Sequence, residues 1–262
     1  MLRSRVSPCL LIHKNGLVKT EKFKTHKYVG DPINAVKIFN EKEVDEIIIL
    51  DIDATVNKSE PNYKLIKNIA NESRMPVCYG GGVNTVEQAK KIIQLGIEKV
   101  AFSSAILEDP TILTPLCNAI GKQSVVVVLD VKKNFLGKYE IFTHNGTKKV
   151  KKKLEEVLRQ IESFGVGEIV VNSIDRDGTM KGYDFDLVDI VRQKTDSPIT
   201  ILGGASNFDD ILNLIKRYKV IGASVGSLFV FKGVYKAVLI SYLNDVTKNE
   251  IVKVAEKNFR SD

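Results

Sequence analysis

The sequence of 262 residues is poor in the residue types that mark several protein classes. It has three cysteines, Cys9, Cys78 and Cys117, an odd and scattered set in or beside apolar stretches. That is too few and too irregular for a disulfide framework, and it points to reduced, buried thiols in a reducing cytoplasm. Its three histidines, His13, His26 and His144, form no pair with cysteine at ligand spacing, so no metal site is expected. No apolar run approaches the roughly 18 residues of a membrane-spanning helix. The start, Met1-Leu2-Arg3-Ser4-Arg5, leads into too short an apolar stretch for a signal peptide. With 7 prolines and 18 glycines the chain is neither collagen-like nor low in complexity, and its 44% hydrophobic and 27% charged residues suit a large buried core. Two small domains or one α/β barrel fit this length, and no linker divides the chain.

Lysine plus arginine number 39 against 32 aspartate plus glutamate, a formal charge of +7 and a pI near 9.1. Apart from the run Lys148 to Lys153, the bases interleave with acids, and no stripe of aromatic and basic residues suits the stacking of nucleic-acid bases. Neither nucleic acid nor a membrane is therefore expected as a partner, and the lysine run reads as a solvated face. The modest positive field suits phosphorylated metabolites.

What is abundant is alternation. Eight short runs rich in Ile and Val are separated by longer amphipathic stretches: 5–12, 46–51, 76–79, 99–102, 124–130, 168–173, 198–202 and 220–225. Runs such as Ile47 to Leu50 and Val125 to Val128 are apolar throughout, as strands buried on both faces require. Between them, Leu154, Val157, Leu158 and Ile161 fall at helical spacing, as do Phe208, Ile211, Leu212 and Ile215. Asp31-Pro32 reads as the cap and first turn of the first helix, and Asn84 with Glu87 as a capping box for the third. The second half echoes the first: Glu46 to Asp53 falls on Glu168 to Asp175, Pro76 on Pro198 and Gly81-Gly82 on Gly203-Gly204, all at an offset of 122 residues. The expected fold is a single (βα)8 barrel domain over 1–262, with half-barrels near 1–122 and 123–250 and a tail over 251–262. An open doubly wound sheet is the alternative.

In a (βα)8 barrel, chemistry sits at the C-terminal ends of the strands. Gly80 to Gly82 follows the third strand, Ser103-Ser104 the fourth, Gly203-Gly204 the seventh and Gly226-Ser227 the eighth. Each set reads either as a tight turn or as a phosphate cradle, and two sets related by the repeat favour cradles at opposite sides of the mouth. Lys19, just beyond the first strand, adds positive charge. Asp130 ends the fifth strand, where a carboxylate can do acid/base work; its other reading is a loop cap or a partner of Lys132 or Lys133. Asp51, Asp53, Asp175 and Asp177 crowd the ends of the second and sixth strands as candidates for binding hydroxyls or orienting loops. Arg5, Glu46, Lys99 and Glu168 stand where apolar runs begin, at the barrel floor, as a ring of ion pairs that acts as a plug or as a gate.

These residues carry a resemblance along almost the whole chain. Arg5 to Leu10, Gly30-Asp31-Pro32, Leu50-Asp51-Ile52, Gly80 to Gly82, Val127 to Asp130, Phe142-Thr143-His144 and Asp175 to Thr179 occur in the order and at the spacing of the cyclase subunit of imidazole glycerol phosphate synthase, which the chain resembles. The resemblance implies a (βα)8 subunit without a cofactor that docks a glutaminase on the N-terminal face of its strands. It also implies that ammonia passes through the barrel to a bisphosphorylated substrate, giving imidazole glycerol phosphate and aminoimidazole carboxamide ribonucleotide in histidine biosynthesis. Arg5, Glu46, Lys99 and Glu168 match that family's ammonia gate. Lys19, Gly82, Ser103, Ser104, Asp177, Gly203, Gly204, Gly226 and Ser227 match its substrate and phosphate contacts, with Ser103 in place of the usual Asn.

One departure stands out. The family pairs an aspartate after the first strand with one after the fifth; Asp130 fills the second place, but the first is Leu11. Asp53, at a position that is usually Thr, is a candidate compensating carboxylate. Leu11 opens an alternative: a diverged second-copy paralogue that serves as ammonia conduit and scaffold between a glutaminase and a sugar amidotransferase of surface-polysaccharide (lipopolysaccharide) synthesis. The related sugar-phosphate isomerase shares the fold, but the charged floor and the missing first aspartate argue against it.

Overall fold

Strands that are apolar on both faces have no side to give to water, so they must be enclosed. The computed structural model, which describes residues 4–260 and the side chains of 4–255, encloses them by closing a cylinder. Met1 to Arg3, and residues 261–262 of the expected tail, lie outside the described residues. The barrel strands are β1 (Arg5–His13), β2 (Ile47–Asp51), β3 (Val77–Gly80), β4 (Lys99–Phe102), β5 (Val125–Lys133), β6 (Glu168–Ser173), β7 (Ile199–Leu202) and β8 (Gly222–Val225). Each pairs in parallel with the next, and Arg5 to Pro8 of β1 pair with Gly222 to Val225 of β8, which closes the sheet. The open-sheet alternative is thereby excluded.

The crossover helices are α1 (Pro32–Glu41), α2 (Tyr63–Glu72), α3 (Val86–Gln94), α4 (Leu113–Ile120), α5 (Leu154–Phe164), α6 (Phe185–Arg192), α7 (Phe208–Tyr218) and α8 (Asp245–Arg260). Residues 251–260, expected as a tail, continue α8. The alternation of strand side chains splits the core in two. Outward residues such as Ile47 and Ile49 pack under the helices, together with Val157 and Ile161 of α5 and Ile211 and Ile215 of α7. Inward ones, including Cys9, Ile48, Cys78, Val126 and Val170, fill the barrel. All three cysteines are buried and free.

The helix starts follow local chemistry. Asp31 accepts from the Asn34 N–H at 2.9 Å, with Pro32 opening α1. The capping box of α3 sits one residue later than the sequence suggests: Thr85 and Gln88 exchange the two bonds, not Asn84 and Glu87. Both pairs have the right spacing, but the Asn84 side chain is already committed, donating to the Gly82 carbonyl at 3.1 Å.

The short strands Gly16–Lys19, Lys27–Gly30 and Tyr139–Thr143 have no counterpart in the sequence reading; they pair antiparallel and build up the rim above β1 and β5. The lysine run lies on that rim as a solvated face, with Lys148 bonded to Glu108 and Lys149 to Glu140. Among the described residues no helix is long and apolar enough to cross a membrane, and no group of three or more His, Cys, Asp or Glu is arranged to hold a metal ion.

Candidate active site

The two ends of the barrel carry different chemistry. At the floor, the structure brings together all four charged residues singled out in the sequence. Lys99 Nζ donates to both Glu46 oxygens, at 2.9 and 2.8 Å, and to Glu168 Oε2 at 2.8 Å. Arg5 lies 3.1 Å from Glu168 and 3.7 Å from Glu46. A fifth member is absent from the sequence reading: the buried Thr200 hydroxyl donates to Glu168 Oε1 at 2.5 Å. It fits there because Gly222, its register partner on β8, has no side chain; a carbon on Gly222 would overlap the Thr200 hydroxyl. Burial alone would push the Glu168 carboxyl up, but Lys99, Arg5 and Thr200 outweigh it and hold it below the usual carboxylate range.

At the mouth, one cavity is lined by Lys19, Gly82, Ser103, Ser104, Asp130, Asp177, Gly203, Gly204, Gly226 and Ser227. The chain reaches this shape through backbone that only glycine accepts readily. Gly81 and Gly203, one repeat apart, have φ of +120° and +98°. A side chain on the first would collide with the Asp51 carbonyl, and on the second would lie 2.8 Å from the carbonyl of Ser173, the residue at the matching offset. Both loops thus fold back onto the preceding strand in the same way, leaving open backbone on two sides of the mouth. Lys19 is buried and donates to the Cys9 carbonyl, its ammonium lying 2.7 Å from where a carbon on Gly226 would sit. Burial pushes its pKa down, with Asp177 opposing.

Asp130 is recessed in this cavity. Its register partner on β6 is Asn172, whose amide donates to Asp130 Oδ1 at 3.0 Å. Burial pushes the Asp130 carboxyl up to about 7, with the Asn172 bond lowering it and the nearby Asp177 raising it. Pairing with Lys132 or Lys133 is not seen: both are exposed, and Lys133 reaches Asp186 instead, at 3.6 Å.

The four other aspartates divide. Asp51 and Asp177 line the cavity, and each also orders a loop: Asp51 accepts from the N–H groups of Asp53 and Ala54, Asp177 from the Thr20 hydroxyl at 2.7 Å and the Phe23 N–H. Asp53 and Asp175 are not brought to the cavity. Asp53, the candidate compensating carboxylate, binds His13 Nδ1 at 2.7 Å and the Lys14 N–H, because the β1 turn offers it two partners on the rim. Asp175 accepts from the Lys133 N–H. Leu11 does line the cavity, beside Leu50 in register, and makes that wall apolar.

Sequence reasoning missed Asn172 and Thr200. The signal for Asn172 was present, a polar residue at the end of an apolar strand that lies level with Asp130. Within the cavity lining, Ser103 Oγ and Asn172 Oδ1 are buried atoms without a hydrogen-bond partner.

Comparison with known proteins agrees with this geometry. The pattern of the histidine biosynthesis protein family matches residues 5–236. A Vibrio vulnificus protein, named as a candidate imidazole glycerol phosphate synthase subunit hisF3, is 55% identical over 97% of this chain and 98% of its own length. A Pseudomonas aeruginosa protein named in the same way as hisF2 is 50% identical over 96% of this chain and 100% of its own. The imidazole glycerol phosphate synthase subunit HisF of Streptococcus sanguinis is 34% identical over 87% of this chain and 91% of its own. With a closed barrel, a matched pair of glycine loops and relatives of one type along nearly its whole length, the chain belongs to the histidine biosynthesis protein family, as a member of its HisF type.

Proposed function

We propose that this chain, a single domain of two half-barrels, is the cyclase subunit of a glutamine-dependent imidazole glycerol phosphate synthase. A separate glutaminase docks on the strand N-terminal face and releases ammonia, which enters past Arg5, Glu46, Lys99 and Glu168. At the mouth it reacts with a bisphosphorylated ribonucleotide, yielding imidazole glycerol phosphate and aminoimidazole carboxamide ribonucleotide. The observation that carries this reading is one cavity with glycine loops at both sides and a recessed carboxyl between them. Gly82, Ser103 and Ser104 would hold one phosphate; Gly203, Gly204, Gly226 and Ser227, with Lys19 behind them, would hold the other. A carboxyl with pKa near 7 is part ionised at neutral pH and suits Asp130 to both accept and return a proton.

Leu11 supports a second reading, the ammonia conduit that serves a sugar amidotransferase. A positioned acid/base group contributes roughly 10²- to 10⁴-fold in rate, and leucine supplies none. The test is direct: purified protein with ammonium salt and the bisphosphorylated substrate is assayed for imidazole glycerol phosphate. Turnover in the unmodified chain supports the cyclase and ends the conduit reading. A near-zero rate that rises about 10²-fold or more in Leu11→Asp supports the conduit instead.

A further inference from the structure

With Leu11 on β1, Asp130 lacks the partner aspartate of that strand, and the carboxylates that share its cavity, Asp51 and the nearby Asp177, are engaged by loop N–H and hydroxyl groups, so its immediate surroundings must serve both of its protonation states. An ionised carboxylate only accepts hydrogen bonds, whereas the protonated acid also donates one. A lysine would favour only the ionised form. An amide has a donor and an acceptor on one rotatable group, and Asn172, 4% exposed, holds such a group 3.0 Å from Asp130.

Only half of that amide is used. Nδ2 donates to Asp130, while Oδ1 is buried without a partner, a state that is costly when nothing else answers it. Oδ1 faces Gly203, where a side-chain carbon would lie 3.2 Å away. Gly203 has no such carbon, so no side chain there crowds that edge of the amide. After a half-turn Oδ1 faces Asp130 and accepts from the protonated acid.

We propose that Asn172 is the positioning residue of Asp130 and that the two work as one acid/base unit, the amide donating through Nδ2 to the carboxylate and accepting through Oδ1 from the acid. The proton goes from substrate to an Asp130 oxygen and back, the amide turns with it, and nothing is oxidised or consumed. The unit stands in for a carboxylate pair. It rests on the reading of Asp130 as the acid/base group, but it is testable without substrate.

The test follows the protonated-carboxyl infrared band of Asp130 against pH in the whole, unliganded chain, assigned by its loss in Asp130→Asn. In parallel, the side-chain amide signals of Asn172 are followed by nitrogen-15 NMR. A hydrogen bond to a charged group is about twice as strong as a neutral one, so the amide holds the carboxylate more firmly than the acid. Asn172→Leu is therefore expected to move the Asp130 midpoint upward by about one pH unit, a tenfold gain in proton affinity. Asn172→Thr, whose hydroxyl donates and accepts, restores at least half of that shift. The amide signals move with the same midpoint as the band.

An unmoved midpoint in Asn172→Leu, equal midpoints in the Leu and Thr variants, or amide signals that stay flat through the titration would each overturn the proposal. If the leucine variant does not fold, the amide titration of the unmodified chain decides. Failure of the ammonium assay with this coupling intact removes the cyclase reading and leaves the unit standing; loss of the coupling with turnover intact does the reverse.

Discussion

Each charge of the floor ring lies within 3.7 Å of an opposite one, and even the second oxygen of Glu168 has the Thr200 hydroxyl. The mouth is built the other way. Asp130 has a single amide donor, Ser103 Oγ and Asn172 Oδ1 have no partner, and Leu11 presents carbon where a charge would fit. Buried polar groups are normally satisfied, so a set left open marks where a bound molecule or a gained proton completes it, and a closed set marks architecture or a gate that rests shut. The two ends of the same barrel therefore differ in how completely they pair their polar atoms.

The contrast breaks if the floor tolerates the loss of a charge. Lys99→Met leaves Glu46 and Glu168 facing one another with Arg5 alone, and equilibrium urea unfolding should show a loss of about 3–5 kcal/mol; a loss under about 1 kcal/mol would mean that the ring is not a closed set. Next in size is Gly222→Ala, which pushes Thr200 off Glu168 and should cost about 1–3 kcal/mol in the same measurement.

At the mouth the sign should reverse, with a pH signature. The Asp130 carboxyl binds its proton more tightly in the folded chain, about 7 against an ordinary 3.8, so the stability it contributes is full below about pH 4 and is lost as the pH rises through about 7. Asp130→Asn cannot ionise. It should match the parent near pH 4 and exceed it by on the order of 1–3 kcal/mol near pH 8, read from thermal or urea unfolding across that range; a variant less stable than the parent near pH 8 would place Asp130 with the satisfied groups of the floor.

The smallest effect sharpens the contrast between buried and exposed pairs. Lys148 and Glu108 approach to 2.6 Å, but both are 58% exposed, and Lys148→Ala should change stability by less than about 1 kcal/mol. A larger change would mean that closeness, and not burial, sets the worth of ion pairs in this protein.

Much of the barrel was legible because its signals are local or repeated. Runs such as Ile47 to Leu50 exclude a solvent-facing strand by themselves, and the offset that relates Gly81 to Gly203 foretold two loops with one geometry. The rim was not legible: Tyr139 to Thr143 forms a strand because β5 extends to Lys133 and offers an edge, which five residues of mixed polarity do not announce. At the α3 start, Asn84/Glu87 and Thr85/Gln88 fit the box equally well, and the preceding turn chose between them by occupying Asn84. Spacing put Asp51, Asp53, Asp175 and Asp177 at the ends of two strands, yet whether each faces the cavity or a loop depended on partners such as His13 and Thr20, far away in the chain.

The sequence by itself determined the eight-fold alternation, the internal echo, the four floor charges, the glycine loops and the place of Asp130, because each follows from residue type and from a period that a short window or a simple offset displays. Only the tertiary structure decided that Asn172 is the neighbour of Asp130, that Thr200 completes the floor ring beside Gly222, and that Asp53 belongs to the rim. Those relations arise from strand register and barrel closure, which bring side chains tens of residues apart within hydrogen-bonding distance and leave no trace in the order of the residues between them.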